Sequence, residues 1–215
     1  MEFEALAFVR FCQFTIIIPT GLAFYRWKDL NKTQVFLALV VLVTLATEVT
    51  STTIVALVEN PNNLPLYHIF VVMVFILSNR LYRIALANFL NKWMFDLLLV
   101  LFCLFALINS VFIESIWTFN SNAVFAAGTI YIFYSLLYFY TLLQSGGQGV
   151  NEDPVFWLSI GLILYYSGSL SLFIVINYLT QNPNESVTNA WLLNSVFNLV
   201  LNFFYTVALW KKSKI

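Results

Sequence analysis

Arg10 and Glu48 are the two ionisable side chains set deep within apolar runs of this chain, in "ALAFVRFCQF" and "VTLATEVTST". A charge in hydrocarbon costs at least about 2.5 kcal/mol on insertion scales, so such groups pair with one another or serve a function. At helical rise, Arg10 sits roughly 8 Å and Glu48 roughly 15 Å below the same membrane face, a difference an arginine side chain spans. The expectation is an Arg10–Glu48 ion pair between adjacent antiparallel helices. Such a pair locks two helices together or floors a ligand site; the competing arrangement has Arg10 reaching up to the headgroups.

His68, the single histidine, opens the third apolar run in "LPLYHIF" at a similar level. Together with Thr50, Ser51, Thr52 and Thr53 it outlines an outward-facing polar pocket. Its ligand residues would be Arg10, Glu48, His68 and Thr52, taking an anionic headgroup or a small molecule with Arg10 as counter-charge. A structural, hydrogen-bonded His68 is the plainer alternative. A second polar group runs deeper. Asn194, Asn198 and Asn202 recur every four residues on one helix face, while Tyr131, Tyr134 and Tyr138, with Tyr166 and Ser167, stand on the two preceding runs. They would line a polar seam through the bundle, or bond neighbouring helices to one another.

The elements that position these residues follow from hydropathy. The chain has 215 residues, 61% hydrophobic and 9% charged, with a net charge of zero. That composition leaves too little polar surface to coat a soluble globule. The apolar runs cover residues 5–25, 34–58, 66–84, 94–113, 123–143, 154–179 and 190–210, each long enough to cross about 30 Å of hydrocarbon as a helix. The fold class is therefore all-α, a single-domain polytopic membrane protein built as a seven-transmembrane-helix bundle.

Of the ten Lys and Arg residues, all but Arg10 fall on alternate connections. Arg26, Lys28 and Lys32 follow the first run, Arg80, Arg83 and Lys92 flank the link between the third and fourth, and Lys211, Lys212 and Lys214 follow the seventh. The opposite connections carry Glu2, Glu4, Glu59, Glu114 and Glu185. The positive-inside rule then puts the N-terminus outside and the C-terminus inside. The acidic N-terminal flank and the length of the first run argue against a cleaved signal peptide. Pro154 begins the sixth helix, where its missing N–H costs little. Pro19 lies within the first span and predicts a kink there. Trp157 and Trp191 lie near span ends, as interfacial anchors do.

Several chemistries are disfavoured. One histidine makes an intramembrane zinc site improbable, and no lysine lies within the membrane to carry retinal, so no cofactor is expected. The zero net charge offers no electrostatic footprint for nucleic acid. Cys12 and Cys103 both fall within spans, and no disulfide is expected. Seven helices with an outer N-terminus resemble the topology of opsins and G-protein-coupled receptors, but motifs of neither group are present. The Pro-Gln pairs that mark seven-helix PQ-loop transporters are absent too.

Three stretches, "LPLYHIF", "EDPVFWLSIGLILYYSG" and "NAWLLNSVFNLVLNFFYTVALW", are similar to a group of uncharacterised seven-helix integral membrane proteins of Bacteroidota. Genes of that group are often beside those of sensor histidine kinases. In the group an acidic residue often follows the helix-three histidine by about two turns, and a histidine often stands at the position of Asn194; this chain has Val74 and Asn194 there. The resemblance implies a non-enzymatic sensor or accessory subunit of a signalling system in the bacterial cytoplasmic membrane, with membrane lipids and a sensor histidine kinase as partners. The kinase would meet the basic inner rim and the Gly-rich link at residues 144–153. Two alternatives stay open: a small-solute or lipid transporter using the polar seam, and an intramembrane lipid-modifying enzyme with Glu48 as general base and His68 as acid. Oligomeric state is not legible.

Overall fold

The computed structural model describes residues 2–146, 149–181 and 185–212; for residues 2, 3, 6, 175–177, 179–181 and 185–187 it describes the backbone alone. Among the described residues eight α-helices follow one another: α1 (Glu2–Phe14), α2 (Ile17–Tyr25), α3 (Lys32–Leu57), α4 (Leu64–Ala85), α5 (Lys92–Ile108), α6 (Ser121–Gln144), α7 (Pro154–Gln181) and α8 (Glu185–Trp210). α5 runs on into a π-turn, Asn109–Ile113. Helices α1 and α2 share one span, so seven helical segments are long and apolar enough to cross a membrane. The chain is an integral membrane protein by that criterion. The helices match the apolar runs to within about three residues, except that α8 begins at Glu185.

The break in the first span has a local cause. Pro19 has no N–H to donate and its ring crowds the carbonyl four residues back, that of Thr15. The ladder tightens there: Ile18 N–H donates to Thr15 O at 3.0 Å, and Ile16 N–H to Gln13 O at 3.3 Å. The first span is thus interrupted at Thr15 and Ile16, where the proline disturbs the ladder.

Helix starts are encoded as expected. Asn31 caps α3 in a reciprocal box with Gln34, Pro65 lies in the first turn of α4, and the Asp153 carboxylate accepts from Val155 N–H at 2.8 Å to cap α7. The Glu114 carboxylate does the same for α6, accepting from Asn122 N–H at 3.1 Å and from the Ser121 hydroxyl. Connection 144–153 is described only in part; Gly146 and Gly149 both adopt positive φ within it.

Helix α7 packs most extensively on α8 and α6, and α3 on α4; α1 and α2 lean on α8, and α4 meets α6. The result is a ring of six spans, with α5 applied to the outside of α4. Leu97, Val100, Leu101, Leu104 and Leu107 on α5 are accordingly exposed. The side carrying the Glu2 end of α1 and the links after α3, α5 and α7 is called the N-side below, and the side carrying Arg26 and Lys211 the C-side.

Close approach of α7 requires glycine. A Cβ on Gly161 would lie 2.5 Å from Phe204 Cβ, and one on Gly168 would lie 2.2 Å from the Phe197 ring. A Cβ on Gly21 would meet nothing within 4 Å. Gly161→Ala should therefore lower the unfolding midpoint in detergent, an overpacking cost of about 1–3 kcal/mol. Gly21→Ala should leave it unchanged or raise it, as circular dichroism melts would read directly.

Candidate functional site: an acidic N-side cluster and its polar floor

Glu48 stands on α3 between Thr47 and Ser51, both buried. Its carboxylate lies within electrostatic reach of Tyr67 on α4 and Tyr165 on α7. Tyr165 in turn lies beside Asn194 on α8. Tyr67 donates to Ser51 Oγ at 3.3 Å, and Asn63, just before α4, donates to the same oxygen. Four helices thus bring polar groups to one level in the N-side half. The Asn194 Oδ1 atom is buried without a hydrogen-bond partner among the described residues.

The expected Arg10–Glu48 ion pair is not formed. Among the described residues the ion pairs are Arg80–Asp96 at 2.8 Å and Arg83–Asp96 at 3.0 Å. Arg10 is exposed because the face of α1 that meets the bundle carries Cys12, which is fully buried. Two residues on an α-helix point about 200° apart, so burying Cys12 turns Arg10 to the outside. Depth along the axis was compatible with the pair; rotation about the axis was not.

His68 leaves the cluster as well. Its Nδ1 is 2.8 Å from Ser110 Oγ and its Nε2 is 3.1 Å from Thr118 O. A carbonyl only accepts, so Nε2 carries a proton and donates it to Thr118 O, while Nδ1 shares a hydrogen bond with the Ser110 hydroxyl. Both nitrogens are committed to tying α4 to the π-turn and the link after it, which leaves no acid–base partnership with Glu48. Thr52 is half-buried, but Ser51, one residue earlier, is the hydroxyl that Tyr67 and Asn63 contact.

The seam is assembled in larger part than the pocket. On α6, Tyr131, Tyr134 and Tyr138 are all buried. The Tyr134 hydroxyl accepts from Asn79 Nδ2 at 2.8 Å, Tyr138 donates to the Asp153 carboxylate, and Tyr131 lies against Phe75 and Tyr166. On α8, Asn202 Nδ2 donates to Asn198 Oδ1 at 2.9 Å and to Thr15 Oγ1 at 2.8 Å, pinning the kinked first span. Ser167 is the exception. It is exposed, about 200° round the helix from the fully buried Ser169, and faces away from the seam.

Residues that sequence patterns did not single out complete the floor. The Tyr82 hydroxyl sits 2.9 Å from both Ser135 and Ser159, joining α4, α6 and α7. At the C-side end, Arg26 Nη1 donates to Leu209 O at 2.6 Å, to Trp210 O and to Lys211 O at 3.3 Å. Gln34 Nε2 adds bonds to Ala208 O at 2.9 Å and Lys211 O at 2.8 Å. A cation and an amide thus satisfy the last carbonyls of α8, where the helix dipole favours positive charge. Beyond Tyr138 a C-side cleft of about 1710 Å³ opens among the ends of α3, α4, α6 and α7, lined in part by Lys32, Asn88, Gln144, Glu152 and Asp153. Trp157 lies at this end, stacked on Phe204 with Lys211 over its ring; Trp191 makes an edge contact with Phe119 at the opposite end.

No protein-family model matches this chain, and no match is found among curated proteins or solved structures. The class defined by fold and site is accordingly the seven-span helical membrane protein with a polar interior.

Removing the Tyr82 hydroxyl strands two buried serines at once. Tyr82→Phe should cost about 1–3 kcal/mol in thermal unfolding, whereas Ser167→Ala on the outer face should be silent.

Proposed function

We propose that this protein is a non-enzymatic, ligand-responsive bundle of the bacterial cytoplasmic membrane, acting as a sensor or accessory subunit of a signalling system. The observation that carries the reading is Glu48: a carboxylate inside a spanning helix, without a cation among the described residues, surrounded by polar groups from α4, α7 and α8. An unneutralised anion there is costly, so whatever neutralises it shifts the balance between helix packings. A ligand acts through its differential affinity for those packings. The polar contacts beneath Glu48 join the same helices and reach the C-side cleft, giving the signal a route to the face where a partner would dock.

Orientation in this proposal is N-side outward, because Arg26, Lys28, Lys32, Arg80, Arg83, Lys92, Lys211 and Lys212 all lie at C-side ends. The apolar exterior is covered by membrane lipids. The partner is a sensor histidine kinase, on the resemblance described above, and it would engage the C-side rim. Asp96 already holds Arg80 and Arg83, so Lys28, Lys32, Lys92 and Lys212 are among the cations left to meet it.

A second reading rests on the same chain of polar residues. If the seam from Glu48 to Tyr138 is a path, the protein is a small-solute or lipid transporter. One experiment separates the readings: gentle purification from the native membrane, followed by reconstitution of the purified protein into vesicles. The signalling reading expects a stoichiometric kinase in the purified material and no solute flux. Flux that Tyr134→Phe or Asn198→Ala abolishes, with no kinase present, would replace it by transport.

A further inference from the structure

Resting on the ligand-responsive reading above, we propose that the Glu48 cluster is a binding site for a primary ammonium group. Two acceptors gathered there stand open. The Glu48 carboxylate has no cationic partner among the described residues. The Asn194 Oδ1 atom is buried and unpartnered, and its residue lies beside Tyr165. Ser51 Oγ is already taken as an acceptor by Asn63 and Tyr67. Arg10, which would have supplied the missing charge, faces outward.

A buried acceptor left unpaired costs about 1–3 kcal/mol, and a buried carboxylate more. A ligand that brings both positive charge and N–H donors removes both costs together. The rings of Tyr67 and Tyr165, both near the carboxylate, add electron-rich faces of the kind that attract alkylammonium ions. An anion is disfavoured by the Glu48 charge, because no cation stands in the cluster in place of Arg10. The chemistry therefore reverses the expectation from sequence: the site takes a cation. A primary ammonium suits it better than a quaternary one, which has no N–H for Glu48 and Asn194. The ammonium arrives either on a free amine or on the headgroup of an aminophospholipid.

The test uses the full-length protein in nanodiscs made with glycerol headgroups only. Binding of n-butylammonium chloride is followed by calorimetry and by thermal shift, against tetramethylammonium chloride and sodium chloride at equal ionic strength. The expected result is saturable n-butylammonium binding, at least tenfold weaker for tetramethylammonium and at least tenfold weaker in Glu48→Gln. Asn194→Ala weakens it less, because only one neutral acceptor is lost. Repeating the titration in ethanolamine-headgroup nanodiscs identifies the source: apparent weakening by competition points to the lipid, unchanged binding to a free amine. Equal binding by wild type and Glu48→Gln, or no distinction between n-butylammonium and sodium, overturns the proposal. Should Glu48→Gln fail to fold, Asn194→Ala decides, since unchanged affinity there overturns it as well. A protein that binds no amine yet still carries its kinase would discard this ligand and leave the signalling role standing.

Discussion

Hydrocarbon offers no hydrogen bond, so each polar group carried into the membrane has to find its partner inside the bundle. Most of the observed architecture answers that constraint. Pro19 frees backbone groups in the first span, and the chain responds with a tighter turn whose Thr15 is held by Asn202. Gln34 serves two helices at once, closing the capping box of α3 with its oxygen and the end of α8 with its nitrogen. Arg26 would be a costly buried charge were it not spent on the same carbonyls. Tyr82 binds serines on two other helices. These contacts, rather than the apolar stripes, specify which helix lies beside which, since apolar side chains gain little by leaving lipid for protein.

Against that background Glu48 is conspicuous. Asp96 neutralises Arg80 and Arg83, Asp153 holds Tyr138 and the start of α7, and Glu114 caps α6. Each of those carboxylates lies near a helix end and has a structural task. Glu48 is far from both ends of α3 and has none that the described residues reveal. It also sits where α3, α4, α7 and α8 converge, so its neutralisation bears on helices that otherwise communicate through Tyr165, Tyr82 and the α8 asparagines. A binding event at one carboxylate is thereby placed to bias the packing of the ring.

What the sequence disclosed divides along the helix axis and around it. Span number, limits, the proline kink and the helix caps depend on position along the chain, and hydropathy and capping residues report them directly. The inward facing of Tyr131, Tyr134, Tyr138 and Asn202 was readable because repetition every three or four residues fixes a face. Single residues were not readable in this way. Arg10 and Ser167 lack a periodic pattern, and their outward rotation is decided by the burial of Cys12 and Ser169. His68 shared a depth with Glu48, but its partners Ser110 and Thr118 lie on an irregular π-turn and link that periodicity does not describe. Arg26 and Gln34 looked like a flanking charge and a helix start, and their contacts with the end of α8 join residues more than 170 positions apart. Tyr67 carried no signal beyond being aromatic.

Among the carboxylates of the described residues, Glu48 is the one set far inside a spanning helix and left open to a ligand. The most direct measurement is mass spectrometry after treatment of the reconstituted protein with a membrane-permeant carbodiimide, which attaches covalently to accessible carboxyl groups in apolar surroundings. The account predicts modification at Glu48, with Glu114, Asp96 and Asp153 spared, and protection of Glu48 by n-butylammonium. Modification spread over all four, or a Glu48 that reacts equally with and without the amine, would contradict it.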